Sequence, residues 1–183
     1  ENVVATMVRR GSDPWEHTKG PINAIVPELK LPSHHGPDVQ TIMPHIDIQT
    51  VAVKVPTTIM HMHCNVVRLK KEATVKEVLH VWRESPRLRI MYAKHGIKST
   101  AQVIELARDM GRKRGDLYEN AIWRDGVHVV GKTLYFHQAI HQEAIVVPEN
   151  IDAIRAMCEL ETEKAKSIQK TNEALDIRQY YMF

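Results

Sequence analysis

Apolar residues fall into short β-branched runs separated by amphipathic stretches, and this alternation predicts a chain of strands and helices. Residues 2–10, rich in Val and Thr, form the first predicted strand. Two longer β-branched runs at 46–55 and 58–69 are predicted as neighbouring strands, with the second near the middle of a sheet. Later strands are predicted at 87–92, at 120–123, and in a hairpin of 127–130 and 133–140 around Gly131-Lys132.

Helical spacing of apolar residues marks the remaining elements. Residues 74–77 have the form of a capping box and begin an amphipathic helix that ends before Pro86. A second amphipathic helix begins at 99–102, and a short helical piece is predicted near 38–43. From Pro148 the chain is predicted to be helical to about residue 175, because proline is favoured in a first helical turn.

This order of elements indicates an α+β fold. The predicted architecture is a mixed, mostly antiparallel sheet covered by helices on one face, with a long C-terminal helix. The chain has 183 residues, so the whole of 1–183 is predicted as one domain with a substantial core. Hydrophobic residues make up 43% and charged residues 26%, a balance that excludes disordered and fibrous proteins. A long polar stretch at 11–37 is predicted to be functional and docked on the fold.

Charge and cysteine content narrow the function classes only slightly. The formal charge of +3 is too mild to select a partner. Only 5% of residues are aromatic, which leaves little surface for stacking on nucleic acid bases. No stretch approaches the roughly 20 apolar residues of a membrane span. Cys64 and Cys158 form no C-x-x-C pair, so both are expected to be reduced and the protein to be cytoplasmic.

Histidines supply the candidate chemistry, because the chain has eleven of them. His34 and His35 lie between Ser33 and Gly36, where hydroxyl, imidazole and backbone donors suit an anionic oxygen, although a pair of surface histidines has the same pattern. In a strand, His61 and His63 share one face while Cys64 points to the other. The two imidazoles are candidates for metal ligands, for a general base, or for core histidines.

Two other polar groups end strands. Residues 141–143, His-Gln-Glu, follow the last predicted strand, and a solvated strand end is the simpler interpretation of them. Arg9 and Arg10 end the first strand. They are either a solvated pair, or one of them reaches a phosphate or a carboxylate.

Several blocks of the sequence, taken in order, resemble the archaeal-type glyceraldehyde-3-phosphate dehydrogenases. The similar segments are 7–10, 19–27, 32–39, 56–63, 99–102, 141–143 and 147–156. They span nearly the whole chain, and many blocks in one order are far more specific than a single short motif. The part of the family that they resemble is the C-terminal catalytic domain.

The resemblance implies an enzyme that oxidises glyceraldehyde 3-phosphate with NAD or NADP and inorganic phosphate, giving 1,3-bisphosphoglycerate in glycolysis and gluconeogenesis. In this family a cysteine thiolate attacks the aldehyde and a histidine acts as general base. His61 falls on that histidine. His34 and His35 fall on positions that contact the substrate phosphate, whereas His63 is expected to be structural.

The resemblance also assigns the cofactor side. Arg10 and Gln142 fall on positions that approach the dinucleotide, and Asn150 lies close by at the start of the last helix. The family forms tetramers largely through the sheet of this domain. The helical segment 148–176 is expected to pack on an N-terminal nucleotide-binding domain, which binds most of the NAD or NADP.

The sequence departs from the family pattern in one important respect. The family nucleophile sits in a Ser-Cys-Asn-Thr-Thr segment, and this sequence contains neither that segment nor a G-x-G-x-x-G fingerprint in a strand-turn-helix setting. The chain alone is therefore predicted to be inactive. One alternative is a non-catalytic module that binds a phosphate ligand or a partner. Another is a metal-binding protein that uses His61 and His63 with His34 or His35.

Overall fold

The computed structural model of the chain describes residues 2–10 and 25–178. Its strands are β1 Asn2–Arg10, β2 Val26–Pro27, β3 Asp47–Val55, β4 Met60–Arg68, β5 Leu88–Met91, β6 Asn120–Trp123, β7 His128–Val130 and β8 Thr133–His141. Its helices are α1 His35–Ile42, α2 Val75–Arg83, α3 Thr100–Asp109, α4 Val146–Met157 and α5 Lys164–Ala174. Of the polar stretch predicted at 11–37, residues 11–24 lie outside the described part, and the remainder includes β2 and the start of α1.

All these strands belong to one sheet in the order β2-β3-β1-β4-β8-β6-β5, with β7 paired to β8. The pairs β1 with β3 and β5 with β6 are parallel, and the other pairs are antiparallel. The α+β class and the mixed, mostly antiparallel sheet are therefore confirmed. No helix in the described ranges is long and apolar enough to cross a membrane.

The prediction that β3 and β4 are neighbours is wrong. Strand β1 lies between them, so that Ala5 is opposite Thr50 on one side and Asn65 on the other. The connection 56–59 has to span two strand spacings, about 10 Å, which four residues can do. The apolar pattern marks both runs as inner strands, but it carries no information about a third strand inserted between them.

Local signals in the sequence place several elements correctly. The Thr74 hydroxyl accepts from the Glu77 N–H at 3.2 Å, and the Glu77 carboxylate accepts from the Thr74 N–H at 2.7 Å, which completes the predicted capping box of α2. The predicted hairpin forms at Gly131, with φ of +57°, and pairs Val130 with Thr133.

Helices pack on both faces of the sheet rather than on one. Leu79 of α2 packs in a cluster with Ile122 and Leu134. Val103 of α3 packs in a second cluster with Ala121, the residue before Ile122 on β6. Because successive strand residues point to opposite faces, α2 and α3 cover opposite sides of the sheet.

The helix predicted from 148 to 175 is two helices, α4 and α5. Glu159 takes the left-handed conformation, with φ of +55°, just after the end of α4. The Leu160 N–H then donates to the Arg155 carbonyl at 3.0 Å, and the Glu159 N–H donates to the Ala156 carbonyl at 3.1 Å. These bonds form the C-terminal helix motif that usually contains a glycine in the left-handed position. Because a glutamate occupies that position here, the sequence gives no signal that the helix ends.

A half-buried carboxylate ties the two helices together. Asp152 of α4 accepts from the hydroxyls of Ser167 and Thr171 on α5 at 2.8 and 2.6 Å. It also pairs with Arg87, which precedes β5 and bonds Glu149 as well. The α4–α5 pair is therefore anchored to the β5 edge of the sheet through charged hydrogen bonds.

A second charged cluster is more deeply buried. Glu119 is 1% exposed and accepts from Arg89 at 2.8 Å and from Arg112 at 2.6 and 2.8 Å. Burial by itself raises the pKa of Glu119, but the hydrogen bond from Arg112 and the charges of both arginines outweigh it and hold the pKa below its ordinary value. The cluster joins β5, the segment after α3, and the carbonyls of Asp176 and Arg178.

Replacing Glu119 with Gln should destabilise the domain by about 3 kcal/mol, because removal of one partner leaves buried charges uncompensated. Urea unfolding measures the change. The pKa of Glu119 is lower in the folded state than in the unfolded state. Its ionised carboxylate therefore contributes fully to the free energy of unfolding above its ordinary pKa of about 4.3, and this contribution is lost as the pH falls through the folded pKa. The difference in free energy of unfolding between Glu119→Gln and the wild type should therefore become smaller at acidic pH.

The matched control is Glu105→Gln, which breaks an ion pair with Arg108. The side chains of Arg108 and Glu105 are 57% and 60% exposed. Exposed pairs contribute about 0 to 1 kcal/mol, so this variant should unfold almost as the wild type does. Equal losses in the two variants would contradict the buried-cluster account.

Candidate active site

The His34–His35 pair is held by a single residue of β3. The Thr50 hydroxyl donates to the Ser33 carbonyl at 3.0 Å, and it accepts from the Ser33 hydroxyl at 2.8 Å and from the Gly36 N–H at 3.0 Å. A Cβ on Gly36 would lie 3.2 Å from the Thr50 hydroxyl, so only glycine fits without a shift. Thr50 therefore fixes the residues on either side of the two histidines.

The two imidazoles lie against each other, with ring centroids 3.8 Å apart. One nitrogen of each ring and one Asp38 carboxylate oxygen lie within 4.8 Å of one another, a separation at which three such atoms could hold a metal ion. In the described part of the chain, no other group of three such side chains is close enough to hold a metal. His61 and His63 belong to no such group, so the metal hypothesis built on them has no support.

His61 and His63 lie on β4, on the same face, as the alternation predicts. His61 is opposite Ile140 and His63 is opposite Gln138, whose side-chain nitrogen lies 3.0 Å from His63 Nδ1. Burial lowers the pKa of His63, so it stays neutral more readily than an exposed histidine. His63 is thus in hydrogen-bond contact with Gln138 and lies two residues from the half-buried His61 on the same strand.

The structure places the histidine pair and His61 on one face of the sheet but at different levels. Thr50, Ala5 and Asn65 lie in one register row, and paired residues point to the same face. His61 is on this face too, four residues from Asn65, which is about 13 Å along the strand.

The three residues predicted for the cofactor side have different positions. Gln142 follows β8, is half-buried, and its N–H donates to the Ile59 carbonyl at 2.9 Å, two residues before His61 on the chain. Asn150 is exposed near the start of α4. Arg10 is the last residue of β1, and its side chain lies outside the described part of the structure. Gln142 is thus bonded to the segment that leads into β4.

Neither cysteine is placed to act as the nucleophile. Both are free thiols. Cys64 is opposite His137, on the face away from His61 and His63, and burial raises the pKa of its thiol. Cys158 lies just beyond α4 and is exposed.

Sequence analysis missed three residues that shape this site. Thr50 and Asp38 carry no local signal, because a lone Thr in a strand and an Asp in a first helical turn are common. His141, interpreted as part of a solvated strand end, is 1% exposed. The only hint of its burial is its period-two spacing from Ala139, which is also buried.

The fold and this site define an α+β class of domain in which one sheet carries the candidate site residues. The chain matches the family described as "Glyceraldehyde 3-phosphate dehydrogenase, C-terminal domain" over residues 1–125. The chain belongs to this family, and the resemblance found in the sequence is confirmed.

Relatives from methanogenic archaea cover almost the whole chain. A glyceraldehyde-3-phosphate dehydrogenase of Methanosarcina mazei is 52% identical over 97% of this chain and 52% of the relative. The enzyme of Methanopyrus kandleri is 53% identical over 96% of this chain and 50% of the relative. That of Methanothermus fervidus is 49% identical over 98% of this chain and 53% of the relative. The chain therefore spans about half the length of the curated relatives it matches.

Thr50→Val tests the anchor of the histidine pair. The change keeps the shape of the side chain but leaves the Ser33 hydroxyl and the Gly36 N–H without their partner. The free energy of unfolding should therefore fall by about 2 kcal/mol. Chemical denaturation gives the value. The control is Thr41→Val, which changes an exposed residue of α1 and should lower the free energy of unfolding by less than about 0.5 kcal/mol. Similar losses in both would show that Thr50 is not an anchor.

Proposed function

We propose that this chain is the catalytic portion of a phosphorylating glyceraldehyde-3-phosphate dehydrogenase. The reaction oxidises glyceraldehyde 3-phosphate with NAD or NADP and inorganic phosphate to 1,3-bisphosphoglycerate, in glycolysis and gluconeogenesis. The observation that carries the proposal is the match to enzymes of that name along 93–98% of the chain. Those relatives are about twice as long, so the activity belongs to an assembly with a nucleotide-binding half.

His61 is proposed as the general base. It is half-buried on a central strand, and its backbone is paired on the β8 side. A strand-borne imidazole keeps its orientation better than one on a loop, which suits proton transfer with a thiol brought to it. That thiol comes from the nucleotide-binding half, because Cys64 faces the opposite side of the sheet.

His34 and His35 are proposed to contact the phosphate of the substrate. Two imidazoles can donate N–H groups to phosphate oxygens, and they lie at the N-terminal end of α1, where the helix dipole favours an anion by about 0.3–1 kcal/mol. The same dipole disfavours a metal cation. Asp38 opposes phosphate binding through its charge, so we expect a weak site that gains strength when the rest of the substrate is bound.

Arg10, Gln142 and Asn150 are proposed to approach the dinucleotide. Amide side chains offer both donors and acceptors, and the half-buried Gln142 and the exposed Asn150 fit the polar groups of such a ligand. When bound, the nicotinamide accepts the hydride from the substrate. Gln142 would orient the ligand beside the start of β4, because its N–H is bonded to Ile59.

The exposed apolar residues support assembly. Segment 25–43 exposes Ile25, Leu29 and Ile42 by 71%, 85% and 82%, and α4 exposes Met157 by 76%. Apolar patches of this kind mark contact surfaces. We propose that the first contributes to a homotetramer and the second to packing on the nucleotide-binding half, in a cytoplasmic enzyme that binds neither nucleic acid nor a membrane.

The test mixes this chain with the nucleotide-binding half of the Methanosarcina mazei relative and follows nicotinamide reduction with glyceraldehyde 3-phosphate and phosphate. Activity should appear only on mixing. His61→Ala should then lower kcat by at least about 100-fold, because general-base catalysis contributes that much. His80→Ala, which removes an exposed histidine on α2, is the control and should keep full activity.

A mixture that associates but stays silent would contradict the enzyme proposal. If the chain alone still bound glyceraldehyde 3-phosphate in that case, a non-catalytic binding module would be the better account. Activity that survives His61→Ala would remove only the role of His61.

A further inference from the structure

His141 is a buried histidine that the proposed mechanism does not use. It ends β8 opposite Met60 and is 1% exposed. Its Nδ1 accepts from the Ala144 N–H at 3.1 Å. Its Nε2 is also buried and has no hydrogen-bond partner among the described residues, and the Asp116 carboxylate lies 3.8 Å from it.

These contacts fix the protonation state of the ring. An imidazole that accepts at Nδ1 carries its proton on Nε2 and is neutral. Burial lowers the pKa of His141, and Arg114 acts in the same direction, whereas the carboxylates of Asp116 and Glu143 oppose the shift. The neutral ring therefore persists to lower pH than in an exposed histidine, and the bond from Ala144 is lost only when the pH falls through the folded pKa.

The turn that His141 holds is the one that carries Gln142. The Ile145 N–H donates to the His141 carbonyl at 3.0 Å, and the Gln142 N–H donates to the Ile59 carbonyl at 2.9 Å. Ile59 has a φ of +69°, which is strained for a β-branched residue, and it lies two residues before His61. The side-chain bond from the Ala144 N–H to His141 is a further constraint on the direction of this turn.

Charged groups surround the turn from two sides. Arg114 donates to both oxygens of Asp116 at 3.3 Å and lies 3.8 Å from the Glu143 carboxylate. Arg114 itself has a φ of +61°, so its backbone conformation is also unusual. Asp116 thus stands between a cationic side chain and the Nε2–H of His141.

We propose that His141 is a positioning residue for the dinucleotide, because its unprotonated Nδ1 locks the turn that directs Gln142. This inference rests on the proposed function, which assigns Gln142 to the cofactor side. His141 itself touches neither the ligand nor the reacting atoms in this account. Its effect should fall on cofactor binding rather than on the chemical step.

The first measurement needs only this chain. Nitrogen-15 NMR of the imidazoles distinguishes the two neutral forms and the cation, between about pH 8 and about pH 5. His141 should show the Nε2–H form at neutral pH and keep it to lower pH than an unshifted imidazole. An Nδ1–H ring, or a cation at neutral pH, would overturn the proposal.

The second measurement uses the enzyme reconstituted with the nucleotide-binding half. His141→Asn keeps an acceptor near the Nδ1 position, whereas His141→Gln places its amide farther out and leaves the Ala144 N–H unsatisfied. The Gln variant should raise the KM for the nicotinamide cofactor about 10-fold with kcat changed by less than about 2-fold. The Asn variant should stay within about 3-fold of wild type. In the wild type this KM should rise when the pH falls through the folded pKa of His141, and the Asn variant, which has no titrating group at this position, should not show that rise.

Equal KM values in the Gln variant and the wild type, or losses confined to kcat, would overturn the inference. Circular dichroism and thermal melting show that each variant is folded before its kinetics are compared. A Gln142→Ala variant separates the two claims. If its cofactor KM is unchanged, the assignment of Gln142 fails and this inference fails with it. If its KM rises while that of His141→Gln does not, only the inference fails.

Discussion

The pairing of β1 with β3 on one side and β4 on the other determines the position of the candidate site. It places Thr50, Ala5 and Asn65 in one row, so the turn anchored by Thr50 and the histidines of β4 share a face. A register slip of one residue in β4 would turn His61 and His63 to the far side and bring Cys64 to the site face. The long antiparallel pairing of β4 with β8 then sets His61 beside the turn that carries Gln142.

Two charged clusters, one buried and one half-buried, hold the C-terminal part on this sheet. Glu119 with Arg89 and Arg112 fastens the segment after α5, and Asp152 with Arg87 fastens α4 to the β5 edge. Buried ion pairs are not automatically stabilising, because desolvation opposes the attraction. Their geometric effect is clearer, since each carboxylate accepts several hydrogen bonds and so permits one arrangement of its helices and strands.

Local rules in the sequence predicted the parts of the fold that depend on few neighbours. The capping box at Thr74, the hairpin at Gly131 and the common face of His61 and His63 all follow from spacing alone. The insertion of β1 between β3 and β4 was not predicted because strand order depends on contacts far apart in sequence. The break after α4 was missed because Glu159 takes a left-handed conformation where glycine is expected.

The sequence proposed the histidines of the candidate site but not the residues that support them. The spacing of the residues, together with the family resemblance, selected His34, His35 and His61. Thr50, which anchors the pair, is distant in sequence, and Asp38 became notable only when its carboxylate was found beside both imidazoles. The sheet thus determines which polar side chains meet, whereas the sequence determines which are available.

Histidine-resolved NMR during titration of this chain with inorganic phosphate tests the central claim most directly. The claim is that the pair held by Thr50 is the anion-binding end of the site face. The account predicts that signals of His34 and His35 shift and saturate, while those of exposed His80 and His128 stay in place. Equal shifts at all exposed histidines, or none at the pair, would contradict it.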